Sequence, residues 1–164
     1  MDRIAISGCG SSRRTVLARH LGMSVTNLDA LYYDEAWNPT PPEKFAVLQH
    51  ELVAADRWTI EGNHASIPSI RVARADTLIF LDLSARTCLW GIAQRWLRYR
   101  GGQHADDVYN RITWSFIKYT LGYRHSMRPR VTPLLHEYGN RANLVRLTNR
   151  RQANRILQQL PATT

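Results

Sequence analysis

The chain has 164 residues, of which 44% are hydrophobic and 21% charged, which suits about one globular domain with a sizeable core. No apolar run approaches the roughly 18–20 residues of a membrane helix, and the apolar stretch after Met1 is too short for a secretory signal. We therefore expect a cytoplasmic protein that does not span a membrane. Cys9 and Cys88 lack metal-ligand spacing, which argues against a zinc site or a disulfide framework.

The balance of charges is strongly basic. Lys and Arg together number 22 against 13 acidic residues, and the formal net charge is +9. Only Lys44 and Lys118 are lysines, so almost all of the positive charge is carried by arginine, whose planar fork suits phosphate. A GC-rich genome also enriches arginine whatever the function, so the positions of the arginines carry the argument.

Short apolar runs alternate with stretches of helical periodicity along the chain. Strands are predicted over residues 3–7, 24–28, 58–60, 77–83 and 144–148, and 77–83 is apolar almost throughout, as in strands buried on both faces. Helices are predicted over 15–21, 42–55, 85–99, 108–122, 131–138 and 151–160. Pro42 opens the helix predicted over 42–55, and Pro129 separates the helices predicted over 108–122 and 131–138.

This order of elements predicts an α/β fold of three layers. A mostly parallel, five-stranded sheet would carry helices on both faces. The helical stretch over about 85–140 is too long for one crossover and is predicted to form a lid over one edge of the sheet. No repeat or linker divides the chain, so we expect residues 1–164 to form a single domain.

The first strand leads into a loop that is typical of anion binding. In open α/β sheets, ligands bind at the carboxyl ends of the strands. The phosphate-loop pattern GxxxxGK[ST] is met at its first glycine and its final hydroxyl, whereas arginines replace its second glycine and its lysine. The residues predicted to bind phosphate are Gly8, Gly10, Ser11, Ser12, Arg13, Arg14 and Thr15.

The two arginines change the chemistry of this loop in different ways. Arg14 keeps the positive charge, although its fork does not reach between two phosphates as an ammonium does. Arg13 places a side chain where glycine normally lets the backbone approach the phosphates. The Thr15 hydroxyl remains available to Mg²⁺. The loop therefore predicts anion binding more directly than rapid phosphoryl transfer.

Two other interpretations of the same residues stay open. One of them is a tight strand-to-helix turn without a ligand. Gly8 and Gly10, followed by acidic Asp29 at the end of the second strand, also form part of a dinucleotide-binding fingerprint, although Arg13 stands where that pattern has a small residue.

Several segments outside the loop share a family pattern. They are RIAISGCGSS, LDALYYDEAW, WTIEGN, RADTLIFLDL, LWGIAQRWLRYRG, RPR at 128–130 and LVRLTNRRQANRIL. With them the chain resembles, over nearly its whole length, the small P-loop kinase-like proteins of the DNA topology modulation family, relatives of adenylate and shikimate kinases. Members usually carry an intact phosphate loop and an aspartate where Glu61 stands.

The resemblance implies a P-loop NTPase-like form of the three-layer fold, ATP and Mg²⁺ as cofactors, and transfer of a phosphoryl group to an undefined small acceptor. It implies Asp29 on the acceptor side and Glu61, with Thr15, near Mg²⁺. The arginines of the lid would be Arg95, Arg98, Arg100, Arg128 and Arg130. The loop that holds adenine would include Asn149 and Arg150. The alternative within this fold is a catalytically impaired relative that binds nucleotide, or no ligand, and acts through a partner.

The region 95–130 concentrates the charge of the chain. It holds eight Lys and Arg side chains against two Asp, with aromatic residues between them. This pattern is typical of a phosphate-clamping lid, of a nucleic-acid-binding surface, or of a solvated basic face. The spacing of Trp114, Ile117 and Leu121 predicts that this stripe is packed inside the molecule. Just before the helix at Ala85, Asp82 is predicted to act as its cap.

Overall fold

The computed structural model describes residues 2–8, 25–34, 38–62, 68–99, 113–139 and 141–159. Its strands are β1 (Arg3–Gly8), β2 (Val25–Asn27), β3 (Trp58–Glu61), β4 (Thr77–Leu81) and β5 (Asn143–Leu147). The helices within these ranges are α1 (Leu28–Tyr32), α2 (Pro42–Ala54), α3 (Pro68–Arg74), α4 (Ala85–Tyr99), α5 (Trp114–Gly139) and α6 (Arg150–Gln159).

The strands form one sheet in the order β2-β3-β1-β4-β5, and every neighbouring pair is parallel. The prediction of a five-stranded α/β sheet is confirmed, and the sheet is parallel throughout. In the centre, Ile6 of β1 lies opposite Glu61 of β3 and Ile79 of β4. Because all the strands run in one direction, their carboxyl ends meet at a single edge.

Helices cover both faces of this sheet, because successive strand residues point to opposite sides. On one face, Ile4 and Ile6 pack with Cys88 of α4, Tyr123 of α5 and Ala153 of α6. The core of the other face contains Ala5, Leu28, Phe45, Val53, Trp58, Ile60, Ala75, Leu78 and Ala142. Burial on both faces explains why β4 is a continuous apolar run.

The helices differ from the prediction in two places. Helix α5 runs without a break through Pro129 and Pro133, so the predicted separation near Pro129 is wrong. The helix predicted from 108 begins only at Trp114, after Thr113, whose hydroxyl accepts a hydrogen bond from the Phe116 N–H. Residues 108–112, like the helix predicted over 15–21, lie outside the described residues.

Two short helices escaped prediction. Helix α1 follows β2 directly, and the Asn27 side chain caps it by accepting from the Asp29 N–H at 2.9 Å. Helix α3 starts at Pro68, a favoured residue for a first turn. Both are short, so their apolar periodicity is too brief to be recognised. Among the described helices none has the length and apolar character needed to cross a membrane.

At the amino-terminal edge of the sheet, Asp76 ties β1 to β4. Its carboxylate accepts the backbone N–H groups of Asp2 and Arg3, both at 2.8 Å, and the Thr77 hydroxyl at 2.8 Å. Its own N–H donates to the Arg3 carbonyl, and its carbonyl accepts from Asn143 at the start of β5. Burial alone would raise the pKa of the Asp76 carboxyl, but these hydrogen bonds outweigh burial and lower it.

We predict that Asp76→Asn lowers the free energy of unfolding at neutral pH by about 1–2 kcal/mol, since charge-assisted hydrogen bonds are lost. Because the pKa is lower in the folded state, this contribution is present above the unfolded pKa of about 3.9 and disappears as pH falls through the folded value. Urea unfolding of both proteins between pH 7 and pH 2 measures the difference. The exposed Asp56→Asn is the control, and a difference that does not shrink in acid would contradict the assignment.

Candidate functional site at the carboxyl edge of the sheet

The predicted phosphate loop begins at the centre of this edge. Gly8 ends β1, is buried, and lies opposite Leu81 of β4. The remaining residues of the predicted loop lie outside the described residues: Gly10, Ser11, Ser12, Arg13, Arg14 and Thr15. Their role therefore stays a prediction, but the strand that leads into them occupies the middle of the sheet, as that prediction requires.

Two predicted acidic residues lie at the ends of adjacent strands. Glu61 is the last residue of β3, is buried, and stands in register with Asn27 of β2 and Ile6 of β1. Asp29 lies in the first turn of α1, two residues after β2 ends. The two residues therefore lie near the carboxyl ends of adjacent strands, on the side of β1 away from β4.

Aromatic side chains pack together at the end of α1. The ring of Tyr32 meets those of Tyr33 and Phe45 edge to face, at centroid distances of 4.8 and 4.9 Å. Burial, followed by the neighbouring Tyr32 and Asp29, raises the pKa of the Tyr33 hydroxyl. Tyr33 therefore remains a neutral hydrogen-bonding group beside Asp29 at physiological pH.

Gly62 holds the backbone after Glu61 in a conformation that side chains rarely adopt. Its φ is +146°, and a Cβ on it would lie 2.7 Å from Leu28 Cβ. The Gly62 N–H donates to the Ile6 carbonyl at 3.2 Å, and its carbonyl accepts from Arg71 Nη1 at 3.2 Å. Arg71, a buried residue of α3 that escaped prediction, thereby joins α3 to the end of β3.

On the other side of β1, Asp82 follows β4 and gathers arginines from two elements. Its Oδ1 accepts from Arg124 Nε at 3.2 Å, and its Oδ2 accepts from Arg146 Nη2 at 2.5 Å. Arg128 Nε lies 3.8 Å from the same Oδ2, and Arg124 Nη2 donates to the Asp82 carbonyl at 3.1 Å. We call Asp82, Arg124, Arg128 and Arg146 the arginine cluster.

The predicted capping role of Asp82 is wrong. Ser84 caps α4 instead, because its hydroxyl accepts from the Thr87 N–H at 3.2 Å and its carbonyl accepts from the Cys88 N–H. A buried carboxylate needs partners, and those of Asp82 lie 42, 46 and 64 residues farther along the chain. An acidic residue at the end of an apolar strand indicates that the carboxylate is buried and needs partners. The sequence does not show which arginines are those partners.

The other predicted lid arginines are placed only by their helices. Arg95 and Arg98 belong to α4 and Arg130 to α5, whereas Arg100 lies outside the described residues. The side chains of Arg95, Arg98 and Arg130 are not among those the structure describes. Of the five, Arg128 alone has a described side chain, and it belongs to the arginine cluster.

The loop after β5 is held by its own capping hydrogen bonds. Asn149 Oδ1 accepts from the Gln152 N–H at 2.9 Å, and Gln152 Oε1 accepts from the Thr148 N–H at 2.8 Å. Arg150 reaches back to α4, donating to Gln94 Oε1 and to the Thr87 carbonyl. The structure thus places Asn149 and Arg150 at the carboxyl end of the edge strand β5, and a role in binding adenine stays a prediction.

The side of α5 that is buried differs from the prediction. Trp114 is 68% exposed and Leu121 is 51% exposed, so the predicted packing of these two side chains is wrong. Thr120 and Tyr123 are buried instead. Apolar residues at spacings of three and four occur on more than one side of this helix, and contact with the sheet decides which side is buried.

A donor set for Mg²⁺ is present in part. Within the ranges that the structure describes, no group of three or more His, Cys, Asp and Glu side chains could hold a metal ion. Mg²⁺ at phosphoryl-transfer sites takes only one or two carboxylates and obtains its other ligands from phosphates and water. A single carboxylate at the end of β3, Glu61, fits that chemistry.

The parallel strands, with β1 central and helices on both faces, form the three-layer α/β fold that the sequence predicts. Among solved structures the chain is similar to shikimate kinase from Acinetobacter baumannii in complex with shikimate, with a TM-score of 0.52 and 17% identity over 98% of this chain and 93% of that one. It also matches an uncharacterized protein from Eubacterium ventriosum, with a TM-score of 0.45, 12% identity and 98% coverage of both chains.

No protein-family model matches the chain, and no curated protein is similar to it at a significant level. At 17% identity, the likeness to shikimate kinase shows the fold and leaves ligand and activity to be argued from this chain's own residues.

We predict that Gly62→Ala lowers the free energy of unfolding by about 2 kcal/mol, because it combines a strained φ with the close contact to Leu28. Gly122→Ala is a matched control within α5, where an added Cβ meets no atom within 4 Å. Since alanine favours a helix over glycine, that change should stabilise the protein by about 0.5–1 kcal/mol. Thermal and urea unfolding distinguish the two, and equal effects would contradict the strain at Gly62.

Proposed function

We propose that this chain is a P-loop kinase-like protein of the DNA topology modulation type, which binds ATP with Mg²⁺ and transfers the γ-phosphoryl group to a small acceptor. The observation that carries the proposal is that the start of the phosphate-binding pattern, a carboxylate and several arginines lie along one edge of the sheet. Gly8 leads from the central strand into the phosphate-binding pattern, with Glu61 on one side and Asp82 with its arginines on the other.

In this proposal the loop at 8–15 binds the phosphates of ATP. Its backbone N–H groups and the Arg14 guanidinium contact phosphate oxygens, and the Thr15 hydroxyl and the Glu61 carboxylate hold Mg²⁺. The bound ion supplies neutralisation of the charge on the phosphates. Asn149 and Arg150, at the end of β5, would contact the adenine.

The acceptor would bind near Asp29, on the β2 side of the loop. The Asp29 carboxylate would orient the acceptor's hydroxyl group for attack. Arg95, Arg98 and Arg128 would stabilise negative charge on the transferring phosphoryl group, since phosphoryl transfer depends mainly on positioning and electrostatics. Arg13 and Arg14 depart from the usual loop. The loop therefore favours a form of this function in which the protein binds nucleotide but transfers the phosphoryl group slowly or not at all.

Calorimetric titration with ATP, with and without Mg²⁺, tests the proposal. We expect micromolar binding that Mg²⁺ strengthens. The double change Arg13→Gly with Arg14→Lys restores the usual loop and should tighten nucleotide binding, with Arg57→Gln at the opposite edge of the sheet as the control. Absence of heat at millimolar ATP in both the natural protein and the restored variant would overturn nucleotide binding.

Nucleic-acid binding is a second candidate, because aromatic side chains are exposed on basic helices. Trp90, Trp96 and Trp114 are at least half exposed, and Lys118 Nζ lies 5.9 Å from the Trp114 ring centroid. Exposed rings beside cationic groups can stack on the bases of a single strand.

If this second function holds, single-stranded DNA binds with an affinity that falls steeply with salt, and Trp114→Ala weakens it about tenfold. Fluorescence anisotropy at 50 and 200 mM salt measures both effects. Val47→Ala, which shortens an exposed apolar side chain of α2, is the control. Weak binding that is insensitive to salt would remove this candidate.

A further inference from the structure

The arginine cluster carries more positive charge than its carboxylate can balance. Asp82 is 1% exposed, whereas the side chains of Arg124, Arg128 and Arg146 are 42%, 47% and 45% exposed. One carboxylate faces three guanidinium groups, which leaves an excess of two positive charges at one point on the carboxyl edge. A carboxylate that had only to be neutralised would need a single arginine, and each further one adds repulsion between like charges.

The hydrogen bonds of the cluster leave donors unused. Arg124 donates hydrogen bonds through Nε and Nη2, and Arg146 donates one through Nη2. Arg128 Nε approaches Asp82 only to 3.8 Å. Within the described part of the chain the three side chains have no other hydrogen bond or ion pair. Since each guanidinium has five N–H donors, most of those in the cluster remain available on side chains that are nearly half exposed.

Asp82 holds these donors in place without competing for an incoming ligand. Its N–H donates to the Leu147 carbonyl at 2.9 Å, which fixes it between β4 and β5, and its burial keeps the carboxylate beneath the arginines. Arg124 and Arg128 come from α5 and Arg146 from β5, so the carboxylate joins groups from separate elements. Donors that are already ordered lose less entropy when a ligand binds.

We propose that Arg124, Arg128 and Arg146 form a binding site for a dianionic phosphate group, such as that of a phosphate monoester or a pyrophosphate, and that Asp82 positions them. Two negative charges match the excess of the cluster, and the guanidinium fork matches phosphate oxygens. Of these three arginines the proposed function gives a role to Arg128 alone, on the basis of the family resemblance. The inference rests on that function and deepens it by adding Arg124 and Arg146. The phosphate would belong either to the nucleotide or to a separate phosphorylated ligand.

Titration with inorganic pyrophosphate, followed by calorimetry, tests the site. We expect Arg124→Gln and Arg146→Gln each to weaken binding about tenfold, since each removes charge-assisted hydrogen bonds. Arg124→Lys and Arg146→Lys keep the charge that neutralises Asp82 but lose the fork, so they should fold normally and bind with intermediate affinity. Arg57→Gln, which removes an exposed arginine before β3 at the opposite edge, should bind as the unaltered protein does.

A second variant separates this site from the loop after β1. If Arg14→Gln abolishes pyrophosphate binding while the Arg124 and Arg146 variants bind normally, the phosphate sits in the loop and the proposal is overturned. Equal affinity in all the variants overturns it as well.

Repeating the titration with saturating Mg²⁺-ATP identifies the source of the phosphate. Loss of the cluster-dependent binding assigns the site to the phosphates of the nucleotide, and its persistence assigns it to a second phosphorylated ligand. Either result supports the site. If ATP gives no heat while pyrophosphate binding still depends on Arg124 and Arg146, the proposed nucleotide function fails and the phosphate site stands.

Discussion

Parallel pairing of β1 with both β3 and β4 is the constraint on which the rest of the structure depends. It places Gly8, where the phosphate-binding pattern begins, at the middle of the sheet and aligns the ends of β3 and β4 on either side. Apolar side chains on both faces make this arrangement stable. The strand ends, together with α1 and α5, supply the polar groups at the carboxyl edge. The positions of Gly8, Glu61 and Asp82 therefore follow from the pairing of the central strands.

Two aspartates that flank β4 show how the two edges of the sheet differ. Asp76 accepts backbone N–H groups at the amino edge, and its hydrogen bonds serve to join strands. Asp82 accepts from arginine side chains at the carboxyl edge, where an excess of cationic donors remains after the carboxylate is satisfied. The amino edge is closed by its own hydrogen bonds, whereas the carboxyl edge holds three arginines around a single carboxylate.

The carboxyl edge is thus divided by charge about the central strand. Glu61 and Asp29 lie on the β2–β3 side, and the arginine cluster lies on the β4–β5 side. Gly62, anchored to β1 and α3, holds the acidic side in place, and Asp82 does the same for the basic side. A phosphorylated ligand that lies across Gly8 would meet a carboxylate suited to Mg²⁺ on one flank and guanidinium groups on the other.

Local sequence patterns determined the five strands, α2 and α4, because apolar runs and proline at a first helical turn act over a few neighbouring residues. Tertiary structure decided the rest. Helix α5 continues through Pro129, and Arg124 and Arg128, one helical turn apart just before that proline, lie against Asp82. The sheet selects Tyr123 rather than Trp114 for burial. The partners of Asp82 lie 42 to 64 residues away, and no local pattern encodes such contacts, since the folding of distant segments onto one another creates them.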